Sequence, residues 1–403
     1  MRKLAFLFVL TMGCRSDSVV KYPTTDVEAG LVLETLTMNW GEAPGVISLA
    51  TPRLPAIAAE VEKIRGVGIA CFQELWTQES KDAVIKALGP DMYVYQESTR
   101  GENQRDGVDI CYPRDVKQTV ACARKKCVGL PAEEQTICVY EECFSELKDT
   151  YIFRSRECVY CVVAGVGNVT EDIIHSCVQQ PGGPKIAGMS RAFDGQNGVM
   201  LVSRWPLQNP EILRLRASFS NRVALFATVE IAGFEPIEVA CSHISTSTEL
   251  PPNHPDFSDW DEEMKEQVGD ISRKLKERAG QRPSLFLADL NAGPKLGEDI
   301  SEMAAKVWWY MQELEFYSPA AHADKPFCTI CAGNTLRSDG ATNNYLIDHV
   351  FVRDPSGGTK LLPIVTHPVF DQRRIFRGYN GEWVDSHLSD HYGTVVKFKL
   401  FKE

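Results

Sequence analysis

The tripeptide Ser389-Asp390-His391 closes a series of polar stations spread along the chain: Asn39, Glu74, Asn197-Gly198, His243, Asp289-x-Asn291 and Asp348. Most of them sit at or just past the end of a short apolar run that reads as a buried strand. Carboxylates and imidazoles at the ends of core strands are costly unless they have a use. Glu74, directly after such a run, suits Mg²⁺, a hard cation that takes oxygen ligands and keeps several waters. Asn39 can add a neutral oxygen beside it. The stations hold no dense His/Cys cluster, which argues against zinc. His391 is the candidate general base, because an imidazole titrates near neutrality and can take a proton from water. It needs a carboxylate to fix its tautomer, and Asp390 points to the same site. The chemistry these residue types suggest is metal-assisted hydrolysis.

The elements that must carry these stations are legible as alternating runs. Leu31 to Met38 is a β-favouring run ending at Asn39, and Val67 to Phe72 delivers Glu74. Met92 to Gln96, Gly198 to Ser203, Val223 to Ile231 and Ile237 to Ser242 read as further strands, the last leading to His243. Ser284 to Ala288 precedes Asp289, Tyr345 to Val352 contains Asp348, and Thr394 to Leu400 follows His391. Helices are expected over Pro55 to Lys63, Ser80 to Leu88 with Ser80 as N-cap, Met264 to Ala279 and Met303 to Leu314. Many strands with few helices between them suggest two packed sheets flanked by helices. Alternation at the end of a strand lets Asp289 and Asn291 reach one pocket. Trp308-Trp309-Tyr310 lies on a helix and reads as core packing.

With 403 residues, 44% hydrophobic and 24% charged, the chain can build a large core. No apolar run approaches the roughly 20 residues that span a bilayer. Arg2-Lys3, the apolar stretch Leu4 to Gly13 and the polar residues after it predict a secretory signal over residues 1–14, followed by a polar tether over 15–30. Gly13-Cys14 resembles a bacterial lipoprotein processing site, so the expected location is secreted or on the cell envelope, with Cys14 as a possible lipid anchor. Thirteen cysteines fit export. Eight of them lie between Cys111 and Cys177, while Cys328 and Cys331 form a close pair. Cys71 and Cys241 sit in apolar runs and are expected to be free core residues. The net charge of −11 gives no long-range attraction to a polyanion, and the short basic clusters read as solvated faces.

Residues 105–185 interrupt the strand pattern with the cysteine cluster and read as an inserted, disulfide-stapled subdomain, since small modules with little core commonly need staples. A substrate or partner module is a second reading. Zinc is a third, weakened because His175 is the insert's single histidine.

The segments Thr37-Met-Asn-Trp40, Ala70-Cys-Phe-Gln-Glu-Leu75, Asn197-Gly-Val-Met-Leu-Val-Ser-Arg-Trp-Pro206, Cys241-Ser-His-Ile244, Phe286-Leu-Ala-Asp-Leu-Asn291, Leu346-Ile-Asp-His-Val-Phe351 and Leu388-Ser-Asp-His-Tyr392 together resemble the endonuclease/exonuclease/phosphatase superfamily. That group holds pancreatic-type deoxyribonucleases, abasic-site endonucleases and secreted sphingomyelinases. The resemblance covers residues 31–401, the expected catalytic domain, apart from the insert. It implies an α/β fold, a four-layer α-β-β-α sandwich with two central mixed sheets and the active site at one edge of both. It assigns Asp348 as the carboxylate partner of His391, Asn291 to the phosphate, and Asp289 to the attacking water or the leaving group. His243 becomes the second histidine, Asn197 and Gly198 line the floor, Glu74 and Asn39 hold Mg²⁺ or Mn²⁺, and His349 is a bystander. Arg204 supports the fold. These roles amount to in-line attack by water on a phosphodiester with no serine, cysteine or threonine nucleophile.

Within that group the text around Glu74, Arg204 and Asp390 looks most like secreted neutral sphingomyelinases. A membrane phospholipid is therefore expected ahead of DNA, with transient contact to a membrane surface. Phe370 to Trp383, carrying Phe376, Tyr379 and Trp383, is the expected lipid-contacting loop. A secreted deoxyribonuclease is the alternative, an inositol-phosphate phosphatase the next, and a binding protein that has lost catalysis the rival from another class.

Overall fold

A computed structural model of the chain describes residues 31–97 except 45, 121–130, 138, 142–143, and 196–402 except 218–219, 247–256, 338–341 and 355–357. The expected signal, tether and most of the cysteine-rich insert lie outside the described residues.

The strands alternate their faces, and that alternation sets the layers. In β1 (Leu31–Glu42) and β2 (Ile69–Leu75), Leu33, Ile69 and Cys71 face one way, while Leu36, Met38, Ala70 and Phe72 face the other. These two strands run parallel in a six-stranded sheet ordered β10-β13-β1-β2-β4-β3. Its other members are β3 (Tyr93–Gln96), β4 (Met200–Ser203), β10 (Thr359–Val369) and β13 (Gly393–Lys402). The second sheet has five strands in sequence order: β5 (Leu207–Leu215), β6 (Arg222–Val229), β7 (Ile237–His243), β8 (Ser284–Asp289) and β9 (Asp348–Arg353). Both sheets are mixed.

Between the sheets lies an apolar layer from Leu33, Ile69 and Leu201 on one side to Leu225, Val239 and Leu287 on the other. The outer face of the first sheet is covered by α1 (Ala50–Lys63) and α2 (Gln78–Leu88), through Ile57, Val61, Val84 and Leu88. The outer face of the second is covered by α3 (Trp260–Ala279) and α4 (Ala305–Glu313), through Val268, Ile271, Val307 and Met311. The result is the expected α-β-β-α sandwich.

Several elements differ from expectation. The cap of α2 is Thr77: its hydroxyl accepts from the Ser80 amide at 3.0 Å, and Ser80 answers as the third helical residue of a capping box. Helix α1 begins at Ala50, ahead of Pro55. Strands β5 and β10 escape the apolar-run test because both are edge strands, half-buried or exposed along most of their length, with Pro210, Pro363 and Pro368 where an edge tolerates them. Trp308 is buried as expected, but its neighbour Trp309 is 59% exposed.

The segment from Phe370 to Trp383 is mostly a hairpin, β11 (Arg374–Arg377) paired with β12 (Trp383–Ser386). Phe376 faces inward into the layer beneath α1 and is buried, contrary to its expected place at a lipid surface. Ile375 and Trp383 face outward, at 68% and 65% exposure.

The largest departure is Cys71–Cys241, a disulfide across 170 residues that joins β2 to β7 through the central core. Each cysteine alone reads as a small buried hydrophobe. Only the face-to-face packing of the two sheets brings them together. Cys122–Cys143, Cys127–Cys138 and Cys328–Cys331 are also bonded. A cross-link closing so long a loop contributes on the order of 2–5 kcal/mol. The double variant Cys71→Ala, Cys241→Ala is therefore expected to lose that much in denaturant unfolding. Alkylation of both thiols in unreduced, unfolded wild type would contradict the assignment.

Candidate active site

The site lies where the ends of β1, β2, β7 and β8 meet the start of β9. In the second sheet β7 and β8 run parallel and β9 returns, so His243, Asp289 and Asp348 fall side by side in register. Asn39 reaches across from the first sheet, its amide donating to Asp289 Oδ2 at 2.9 Å. Two backbone features open this edge. Glu74, next to the end of β2, and Asn291, two residues past β8, both have left-handed backbones, with φ of 55° and 51°. Such conformations are uncommon outside glycine and concentrate where structure holds them for use.

The loop before β13 is drawn in by three contacts. Ser389 Oγ donates to the carbonyl of Asn39 at 2.7 Å and accepts from the His391 amide at 3.1 Å. Gly41, at φ 57°, allows the approach: a Cβ there would lie 2.6 Å from Asp390 Oδ1. Arg53, fully buried at the start of α1, donates to the carbonyls of Trp40, Gly41, Ser48 and Leu388. One side chain thus ties the strand bearing Asn39 to the loop bearing His391.

His391 Nδ1 donates to Asp348 Oδ2 at 2.8 Å, which leaves Nε2 pointing on into the cluster, 3.9 Å from Asp390 Oδ2. Thr329 Oγ1 accepts from the Asp348 amide at 3.2 Å, and Thr394 Oγ1 donates to the Asp348 carbonyl at 2.9 Å. Burial opposes charge on His391, but Asp348, Asp390 and Asp289 outweigh it and lift its pKa well above the ordinary 6.5. His243 goes the other way. Burial, with Arg222 and His391, pushes its pKa well down although Asp289 Oδ2 lies 3.3 Å from its Nε2. One imidazole is thereby made the proton acceptor of a strong carboxylate dyad, the other a neutral group.

The carboxylates carry an excess of negative charge. Burial and then Asp390 raise the pKa of Glu74, and burial and then Asp348 push Asp289 up to about 7. Among the described residues, His391 and Arg222 offset the charge on Glu74, and His391 offsets that on Asp289. Buried carboxylates held up in this way are relieved by a divalent cation, and Glu74 offers an oxygen ligand of the right class. The Asn39 side chain turns its N–H to Asp289, while its oxygen accepts from the Gly41 amide at 2.9 Å and keeps one lone pair for a cation. Asp289, Asp348 and His391 also have ligand atoms within 4.8 Å of one another. Nδ1 of His391 is already spent on Asp348, so that trio is better read as a proton-handling group.

Asp289 Oδ1 accepts from the Asn291 amide at 2.9 Å, and the Asn291 side-chain amide donates to the carbonyl of Ile244 at 2.9 Å, leaving its second N–H and its oxygen for a ligand. Asn197 lies deeper. Its amide donates to Glu97 Oε2 at 3.0 Å and its oxygen accepts from the Val199 amide at 3.0 Å, so both polar atoms are engaged within the protein. It props the turn at Gly198, whose φ is 67° and where a Cβ would meet Trp76 at 2.9 Å. Arg204 is exposed and contributes its backbone N–H to the Gly68 carbonyl. His349 is fully buried between Ser318 Oγ and the carbonyls of Ala292 and Leu346, with burial lowering its pKa to about 3; it stands apart from the cluster. Arg222, Trp76, Thr329 and Arg53 were not legible as site residues. Arg222 opens a strand as any solvated cation would, and Arg53 acts through a fold that brings Trp40 and Leu388 together.

No family model matches the sequence, and no curated protein matches it. Solved structures do. D. rerio TDP2 complexed with single-strand DNA product aligns at 12% identity with a TM-score of 0.50, covering 91% of this chain and 99% of that one. Sphingomyelinase C from Streptomyces griseocarneus aligns at 13% identity and a TM-score of 0.51, covering 91% and 99%. An endonuclease/exonuclease/phosphatase from Bacteroides vulgatus aligns at 12% identity and 0.50, covering 93% and 100%. Identities this low speak to architecture alone: with its paired sheets and flanking helices, this chain has the DNase-I-like α-β-β-α fold that these structures share.

Proposed function

We propose that the protein is a secreted, Mg²⁺-dependent phosphoric diester hydrolase that cleaves a choline phospholipid, sphingomyelin first, by in-line attack of water on phosphorus. The observation that carries the diesterase reading is the His391–Asp348 dyad at 2.8 Å facing the Glu74, Asn39 and Asp289 cluster across the junction of two sheets. Asp348 fixes His391 with Nδ1–H as donor, so the neutral ring presents Nε2 to the water. Asn39 orients the Asp289 carboxylate, which with the free edge of Asn291 positions the phosphate and the leaving oxygen. His243, kept neutral by its burial, offers a hydrogen bond without adding charge. Glu74 would hold the cation, joined by the remaining lone pair of the Asn39 oxygen, and a bound Mg²⁺ would supply neutralisation of the phosphate and the leaving oxygen. Disulfides inside the catalytic core support an oxidising destination.

Two features favour a lipid over a nucleic acid. The net charge is −11, which offers a polyanion no long-range attraction. The hairpin of β11 and β12 presents Ile375 and Trp383 to solvent, with the Arg377 guanidinium 3.6 Å from the Trp383 ring centre. An amphipathic patch of this kind suits a headgroup interface. Incubated with Mg²⁺, the pure protein is expected to release phosphocholine from sphingomyelin vesicles faster than it nicks plasmid. No phosphocholine, together with plasmid nicking at low enzyme concentration, would make it a nuclease using the same residues on a different diester.

A further inference from the structure

Arg222 opens β6 and is 5% exposed, yet its Nε and Nη1 have no hydrogen-bond partner among the described residues. A buried guanidinium left unpaired is expensive and persists where a ligand completes it. The side chain borders the site. Its Cζ lies 5.6 Å from the Trp76 ring centre, and that ring lies 6.1 Å from the His243 ring. Two residues on, Ala224 pairs with Ser242, the chain neighbour of His243. Glu74, Asp289 and Glu263 support the guanidinium charge against burial. The hydroxyl of Ser220, just before the strand and 1% exposed, is likewise without a partner.

We propose that Arg222 is a substrate-contacting residue whose guanidinium binds a non-bridging oxygen of the phosphate through Nη2, its one nitrogen not sealed from solvent, on the side of the cluster occupied by His243. A planar guanidinium suits a tetrahedral oxyanion because two parallel N–H groups meet one or two oxygens. Its positive charge, fixed in a dry wall, strengthens toward a pentacoordinate phosphorus that gathers negative charge on its equatorial oxygens. The assignment rests on the phosphodiesterase reading. The competing role is an internal counter-charge for Glu74, Asp289 and Glu263, which would need no phosphate at all.

The two roles separate in the variants Arg222→Gln and Arg222→Lys, assayed in Mg²⁺ on bis(p-nitrophenyl) phosphate with inorganic phosphate as the competing probe. A phosphate contact predicts a fall in kcat/KM of about 10² for Arg222→Gln, a smaller fall for Arg222→Lys, and a rise of about tenfold or more in the phosphate inhibition constant, with Mg²⁺ affinity kept or improved. Added guanidinium should restore part of the activity of Arg222→Ala. Unchanged phosphate inhibition in folded variants, whether activity holds or falls, would overturn the proposal, as would lost Mg²⁺ affinity with normal phosphate binding. If wild type cleaves no diester, the functional reading fails separately. Calorimetry of inorganic phosphate on the Mg²⁺-loaded wild type and on Arg222→Lys then still decides the contact: weaker binding to the lysine variant supports it, and equal binding overturns it.

Discussion

His391→Ala is expected to lower turnover by about 10² or more while the protein remains folded, the scale of a lost general base. The imidazole is 6% exposed and makes its side-chain hydrogen bond to Asp348, so truncation leaves the sandwich packing intact. The pH profile provides an independent check. A general base works when deprotonated, so kcat/KM rises with pH through its pKa. Asp348, Asp390 and Asp289 hold that pKa above 6.5, so in wild type the rising limb lies above the position of a free histidine. A bound cation draws it back down. In His391→Ala the limb should disappear. A variant with near-normal turnover and an unaltered profile would remove His391 from the role.

Chelation is expected to have an equally large effect. EDTA should abolish activity, with Mg²⁺ or Mn²⁺ restoring it. Glu74→Gln should raise the metal concentration needed for half-maximal rate by about tenfold or more, as expected for loss of a charged oxygen ligand. The motivation is the pair of carboxylates, Glu74 and Asp289, whose burial and neighbours leave negative charge uncompensated. The same variant, by relieving repulsion from Asp390, should fold at least as stably as wild type without metal. Full activity after exhaustive chelation would remove Glu74 from its role and leave Asp289 as an acid in its own right.

How much of this was legible beforehand follows from what each residue depends on. Asn39, Glu74, His243, Asp289 and Asp348 announce themselves because an apolar run meets a polar residue at each, and the observed strands end or begin at or next to the last four. Strand β1 instead runs on past Asn39 to Glu42, with a shift in register after Asn39. Two packed sheets flanked by helices followed from many strands with few helices, and the four-layer sandwich was what the resemblance implied. Strands β5 and β10 were hidden by edge exposure and prolines. The Cys71–Cys241 bond, the Arg53 tie and the unpaired Arg222 depend on pairings between distant segments. No local pattern encodes them. Asn197 illustrates the reverse difficulty: its place in the motif is visible in sequence, but only the fold shows both its polar atoms turned inward to Glu97 and Val199.

The central claim is that water, deprotonated at this cluster, attacks phosphorus directly. Sphingomyelin vesicles turned over with Mg²⁺ in ¹⁸O-labelled water test it, with the products read by mass spectrometry. One ¹⁸O in the phosphate of phosphocholine and none in ceramide is the predicted result. Label in ceramide, or label-free phosphocholine, would contradict in-line hydrolysis at phosphorus by the His391–Asp348 dyad.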